Sequence, residues 1–165
     1  MSFNSVSILS VGNDSQATAL RAATSKKLSN EAHLFIDHPA LSVAPNATQH
    51  TIDYLFPHMF NRRTQTIWDD SKDKTKTIKA EGKRLKKMGE YASLVAIMAV
   101  AEVVQRPIFS IYPVIRTSNV RALYHQLIKP TVCAAEEQLY VLWCSTNQPD
   151  PLTFNLNHLV PVVSR

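Results

Sequence analysis

The stretch Gly89–Pro113, GEYASLVAIMAVAEVVQRPIFSIYP, leaves the rest of the chain little freedom. Gly89-Glu90-Tyr91 reads as a turn. From Tyr91 to Val104 the only clearly polar residues are Ser93 and Glu102. A helix that is apolar nearly all round needs cover on most sides, so it belongs at the centre of the fold. It is too short and too interrupted to span a membrane. Arg106-Pro107 closes it, because the residue before a proline is pushed out of the helical region. Ile108 to Tyr112 is then a β-type run ended by Pro113.

Composition narrows the function classes. A chain of 165 residues fits one domain with a real core, and 45% apolar against 19% charged residues is ordinary for a globular protein. Only three glycines occur, and neither GxGxxG nor GxxxxGK[ST] is present, so a glycine-rich phosphate loop is excluded. Cys133 and Cys144 lack metal-ligand spacing, and two thiols in a chain of this size suit a reducing, intracellular compartment. No signal-peptide pattern and no long apolar run occur, so neither secretion nor a membrane is expected. His50 and His58 have no matching Cys or carboxylate pattern, so no metal or other cofactor is expected.

The positive charge is concentrated. Lys72–Lys87 holds eight Lys or Arg against Asp73 and Glu81, a local net of +6 in a chain of net +5, which leaves the remainder near −1. Within this run Lys83, Arg84, Lys86 and Lys87 are the candidate nucleic-acid contacts, with a solvated basic loop as the bland alternative.

In chain order, Ser2–Ser10 reads as an amphipathic helix with Phe3, Val6 and Leu9 on one face, ended by Gly12. Asn13 with Gln16 has a capping-box pattern. A helix from Asp14 to about Phe35 follows, with Ala17, Leu20, Ala23 or Thr24, Leu28, Ala32 and Phe35 as its buried stripe. Asp37–His50 reads as a loop and Thr51–Met59 as a short helix broken at Pro57. Arg62–Lys79 is polar and reads as a mobile loop, followed by a basic helix over Ile78–Met88. Arg116–Leu123 has turn character. Leu139–Cys144 is a strand internal to a sheet, since its apolar run is unbroken. Thr146–Pro151 is a turn. His158–Val163 is a last strand whose Pro161 argues for an edge or a bulge. The expected class is α+β, with a small mixed or antiparallel sheet flanked by helices.

His158 is the residue that stands out, at the lip of the last strand. Catalysis would need a nucleophile within hydrogen-bond reach. Cys144 reads as an inert thiol in an apolar strand, and Cys133 has no helix N-terminus behind it to lower its pKa. Ser2 and Ser5 lack a GxSxG context. Asp69-Asp70 and Glu136-Glu137 read as solvated carboxylates.

The order of SFNSVSILSVGNDSQATALRAAT, the Gly89–Pro113 stretch, LYVLWCSTN and LNHLVPVV resembles the ovarian-tumour (OTU-like) cysteine protease superfamily, nearest to its vertnin-like branch. The resemblance implies a papain-like OTU fold across residues 1–165. It also implies hydrolysis of isopeptide bonds to ubiquitin by a Cys–His pair, with ubiquitin or ubiquitinated protein as partner. The family's nucleophile lies in an Asp-Gly-x-Cys motif just ahead of a segment like Ser2-Phe3-Asn4-Ser5. Met1 falls at that nucleophile position and the acidic residue would lie upstream, so the Asp-Gly-x-Cys segment is expected to be missing. His158 matches the general-base position. Val160 stands where many members carry Asp or Asn, and Asn157 has no assigned role. A thioether does not ionise, so the domain is expected to be inactive as written, either truncated at its first Met or a pseudoenzyme. The vertnin-like branch implies the alternative: a nuclear, DNA- or chromatin-associated regulatory module using residues 72–87, and on either reading the chain is expected inside the cell, nuclear or cytoplasmic.

Overall fold

The computed structural model describes residues 2–43, 48–87, 93–113, 119–144 and 158–163. The elements run α1 (Ser2–Val11), α2 (Ala17–Asn30), α3 (Gln49–Leu55), α4 (Arg62–Ser71), α5 (Lys74–Leu85), α6 (Leu94–Val104), β1 (Ile108–Ile111), α7 (Asn119–Tyr124), β2 (Gln126–Ile128), β3 (Leu139–Cys144) and β4 (His158–Pro161). Short 3-10 turns occupy Ala32–Phe35, Pro39–Leu41 and Phe56–Met59. The class is α+β, as expected. The turns read at Gly89-Glu90-Tyr91 and Thr146–Pro151 lie outside the described residues.

The sheet order is β2-β1-β3-β4. β1 pairs with β3 in parallel, and β2 and β4 are antiparallel to their neighbours, so the sheet is mixed. β3 is internal, and β4 with its Pro161 is an edge strand, as the sequence predicts. Burial alternates along β1 and β3. Ile108, Ser110, Leu139, Val141, Trp143 and Leu159 are buried, whereas Phe109, Ile111, Tyr140, Leu142 and Val160 are partly or well exposed. One face therefore carries the core and the other stays open.

α6 fills the centre. Leu94 to Ala101 are all buried, which fits a helix apolar all round. Gln105 ends it in the left-handed region at φ 52, and its carbonyl accepts from Ala134 N. Pro107 then leads into β1, and its carbonyl accepts from Leu139 N.

Three segments differ from the sequence expectation. Arg62–Lys79 is not a loop: Asn61 caps α4 and Asp73 caps α5, each side chain accepting from a backbone N–H three residues on. Only Lys72, left-handed at φ 50, and the cap residue Asp73 separate the two helices. Thr64 and Trp68 give α4 its inward face, with Trp68 against Phe56 at 4.9 Å. A Thr- and Lys-rich composition hides that face. Second, no capping box forms at Asn13. Its Oδ1 accepts from Ser15 N, while Ser7 Oγ donates to Asn13 O and accepts from Gln16 N, so α2 starts later at Ala17. Third, Asn119–Tyr124 is a helix, and β2 adds a fourth strand.

The buried side of α2 includes polar residues that the apolar stripe omits. Arg21 and Ser25 are buried beside the expected Thr24 and Leu28. Arg21 Nη1 donates to the carbonyls of Leu85 and Lys87, and its guanidinium lies 4.7 Å from the Phe3 ring centre. A cation at the end of α5 suits the negative pole of that helix. Burial, then the nearby Arg84, pull the Arg21 pKa below its usual value.

Glu81 is fully buried and gathers three helices. Its Oε2 accepts from Thr64 Oγ1 of α4 and from Arg84 Nε at 3.0 Å. Its Oε1 accepts from Arg84 Nη2 and from Ser93 Oγ at the start of α6. Removing one side of a buried ion pair strands the other, at a cost of about 3–5 kcal/mol. Glu81→Ala is therefore expected to lower the urea midpoint by that much stability at constant m; a change under about 1 kcal/mol would contradict it.

Gly82 tests the contact between α2 and α5. An alanine in a helix interior normally gains about 0.5–1 kcal/mol over glycine. Here a Cβ would meet Ser29 Oγ at 2.7 Å, Ser25 O at 3.0 Å and Leu28 Cβ at 3.1 Å. Overpacking costs about 1–3 kcal/mol and outweighs the propensity gain. Gly82→Ala should lower the melting temperature, and a rise would refute the close approach.

Candidate functional site

Two surfaces carry the residues singled out by sequence. The first lies where α1 meets β4. Ser5 Oγ donates to the Leu159 carbonyl at 2.7 Å, and Ile8 and Leu9 line a groove with Val162 and Val163. α1 and β4 therefore run alongside each other in the same sense. The first turn of α1 lies at the His158 end of β4. Phe3 and Val6 anchor this helix in the core, at 1% and 2% exposure.

His158 opens β4 and pairs in register with Cys144. Val160, two residues on, is 37% exposed and carries no acceptor for an imidazole N–H. Met1, the position matched to the nucleophile, and Asn157, the residue just before His158, lie outside the described residues. Cys133 is exposed between β2 and β3, its Sγ 3.1 Å from Ala135 O, and Cys144 is half-buried in β3. Ser5 is buried, with its hydroxyl committed to Leu159.

Behind this end of the sheet, polar groups are joined in series. Trp143 Nε1 donates to Ser110 Oγ at 2.8 Å, and Ser110 Oγ donates to Tyr124 O at 2.6 Å. Tyr124 Oη donates to His58 O at 2.6 Å. Burial drives the Tyr124 phenol well above its ordinary pKa, with Tyr112 and Glu81 adding to the effect. Buried hydroxyls satisfied in this way fix the strands against the helices. They hold a framework and present no nucleophile.

The second surface is α5. Lys83, Lys86 and Lys87 are exposed, as are Lys76 and Lys79 one and two turns earlier. The recurrence at three and four residues puts the exposed lysines of α5 on one helical face. None of the five is ion-paired among the described residues. Arg84 does not share this face: it is 8% exposed and turned inward onto Glu81. The candidate contact set loses Arg84 for that reason and gains Lys76 and Lys79. Lys72 and Lys74 are also engaged, with Asp69 and with Asp53 and Asp37. A helical-wheel projection of residues 74–87 separates the two groups, a signal that the polar composition of the segment up to Lys79 masks.

His50 is exposed, and His58 lies against Tyr54 at 5.4 Å. Among the described residues no three His, Cys, Asp or Glu side chains cluster closely enough to hold a metal ion. Among them, too, no helix is long and apolar enough to cross a membrane.

Residues 2–144 match the family described as the vertnin OTU domain, a span from α1 to the end of β3. β4 and His158 lie beyond it. No curated protein and no solved structure matches the chain. The matched span covers most of the sequence, from the first helix through the central helix to the internal strand, and the chain belongs to the vertnin OTU-domain family.

Proposed function

We propose that this OTU-type domain acts by binding, engaging nucleic acid through the lysine face of α5. The observation that carries the reading is the set of five exposed lysines, Lys76, Lys79, Lys83, Lys86 and Lys87, unpaired among the described residues. The helix beneath them is held rigidly by the Glu81 cluster, Arg21 and the Gly82 contact. A row of ammonium groups on one helical face attracts phosphates by charge alone and reads no base sequence. Binding of this type releases counterions and weakens steeply with salt.

For five phosphate contacts, the logarithm of affinity should fall with the logarithm of salt at a slope on the order of −4. Replacing the five lysines by glutamine should flatten that slope towards zero, measured by fluorescence anisotropy on duplex DNA across a salt series. Unchanged affinity and slope would reject the proposal. Arg84 is left intact in this variant, since its loss would act through Glu81 and the fold.

A second reading, ubiquitin isopeptide hydrolysis, has one observation in its favour: the start of α1 lies beside the start of β4, where the family's Cys and His would meet. Against it, Ser5 is committed to Leu159 and the Val160 side chain offers the histidine no orienting acceptor. On this reading, a chain with an Asp-Gly-x-Cys segment joined ahead of Ser2 reacts with a ubiquitin electrophile. His158→Ala then slows cleavage of a ubiquitin conjugate at least about 100-fold. Equal cleavage by parent and variant removes His158 as the base.

A further inference from the structure

A cavity of about 400 Å³ lies beside β2, between the Pro39–Leu41 turn, the end of α6 and residues 129–131. No residue of it belongs to α5 or to the α1–β4 contact. Leu34, Leu127 and Pro130 give it apolar walls, and His38, Glu102, Gln126 and Thr131 supply polar groups, the Gln126 amide N–H donating to Ala40 O and Leu123 O. Its size is that of a small-ligand site, and its polar groups can fix a ligand's orientation. Lys129, the other charged residue of the lining, is exposed.

The polar groups are set in defined states. His38 is only 6% exposed, and its ring stacks on Phe35 with 6.3 Å between centres and 7° between planes. Its Nδ1 accepts from Ala40 N at 3.1 Å. Burial lowers its pKa, with Glu102 acting in the opposite sense, which favours the neutral ring. A neutral imidazole that accepts at Nδ1 carries its proton on Nε2. That Nε2–H has no partner among the described residues, yet it is not sealed from the cavity. Glu102 is half used: Oε1 accepts from Thr131 N at 2.7 Å and Thr131 Oγ1 at 2.9 Å, and Oε2 is left without a protein donor among the described residues. A donor on His38 and an acceptor on Glu102 thus line the same cavity.

We propose that this cavity binds a carboxamide, whose carbonyl oxygen accepts from His38 Nε2–H while its N–H donates to Glu102 Oε2. A carboxylate in the same place would face the Glu102 charge. An ammonium would leave the His38 donor unmatched, which weakens binding. The carbon chain attached to the amide would lie against Leu34, Leu127 and Pro130. A glutamine or asparagine side chain of a peptide and a free small amide share this chemistry.

Titration of the isotopically labelled 165-residue chain by two-dimensional NMR separates these sources. The probes are N-acetylglutamine methylamide, benzamide and, as the charged isostere, N-acetylglutamate methylamide. Saturable shifts at Leu127 and Thr131 are expected with an amide probe, with a Kd on the order of 1 mM. Tighter binding of the glutamine probe identifies a peptide side chain, and tighter binding of benzamide a small amide. His38→Asn keeps an oxygen to accept from Ala40 N but lacks the Nε2–H, so it should fold and bind at least tenfold more weakly. Glu102→Gln places a second donor beside the first and should reverse the preference towards the glutamate probe. The proposal is overturned by no saturable shift with either amide, by equal shifts with the glutamate probe, or by undiminished binding in folded His38→Asn.

Discussion

The buried carboxylate of Glu81 holds together the half of the molecule that precedes the sheet. A charge at 0% exposure survives only with full hydrogen bonding, and Thr64, Arg84 and Ser93 supply it from three directions. Arg84 approaches with Nε and Nη2 on separate carboxylate oxygens, the side-on geometry that suits a planar guanidinium. The negative charge also lies at the N-terminal end of α6, where the helix dipole favours it. α6 is too apolar to orient itself, since every side of it would be equally content in the core. The Ser93 contact gives that helix a defined rotation and depth, and β1 follows from its end.

This arrangement also divides the basic run. Along α5, Glu81, Arg84, Ile78 and Leu85 turn inward, and the exposed lysines are left on the outside. The same helix is thus a structural strut on one side and a charged surface on the other. Arg21, reaching from α2 to the carbonyls of Leu85 and Lys87, fixes the end of the strut. A rigid charged helix loses little entropy on meeting a polyanion, which is why the binding reading rests on the core as much as on the lysines.

The α1–β4 contact follows a different logic. Family membership rests on residues 2–144, whereas the edge strand that carries His158 lies outside that span. The fold still brings the start of α1 to this strand, through Ser5 and the apolar anchors Phe3 and Val6. Packing constrains a scaffold of this kind and a few side chains any chemistry mounted on it, so the two are separable.

Much of the fold was legible in the sequence. The apolar run of α6, the β-type runs of β1 and β3, the glycine stop at Gly12 and the edge position implied by Pro161 all follow from local rules about burial, branching and backbone freedom. The concentration of charge in Lys72–Lys87 was equally plain. Tertiary structure alone decided which of those charges face water. Arg84 and Lys83 are adjacent and chemically alike in sequence, but only the first lies over a buried carboxylate. It decided likewise that Arg62–Ser71 is helical, because the inward face of α4 exists only once Phe56 and Glu81 are there to meet it. His38 and Glu102 lie far apart in the chain and carry no motif, so the cavity they share had no sequence signature. Local preference is written residue by residue, whereas partnership between distant polar groups is set by the packing that brings them together.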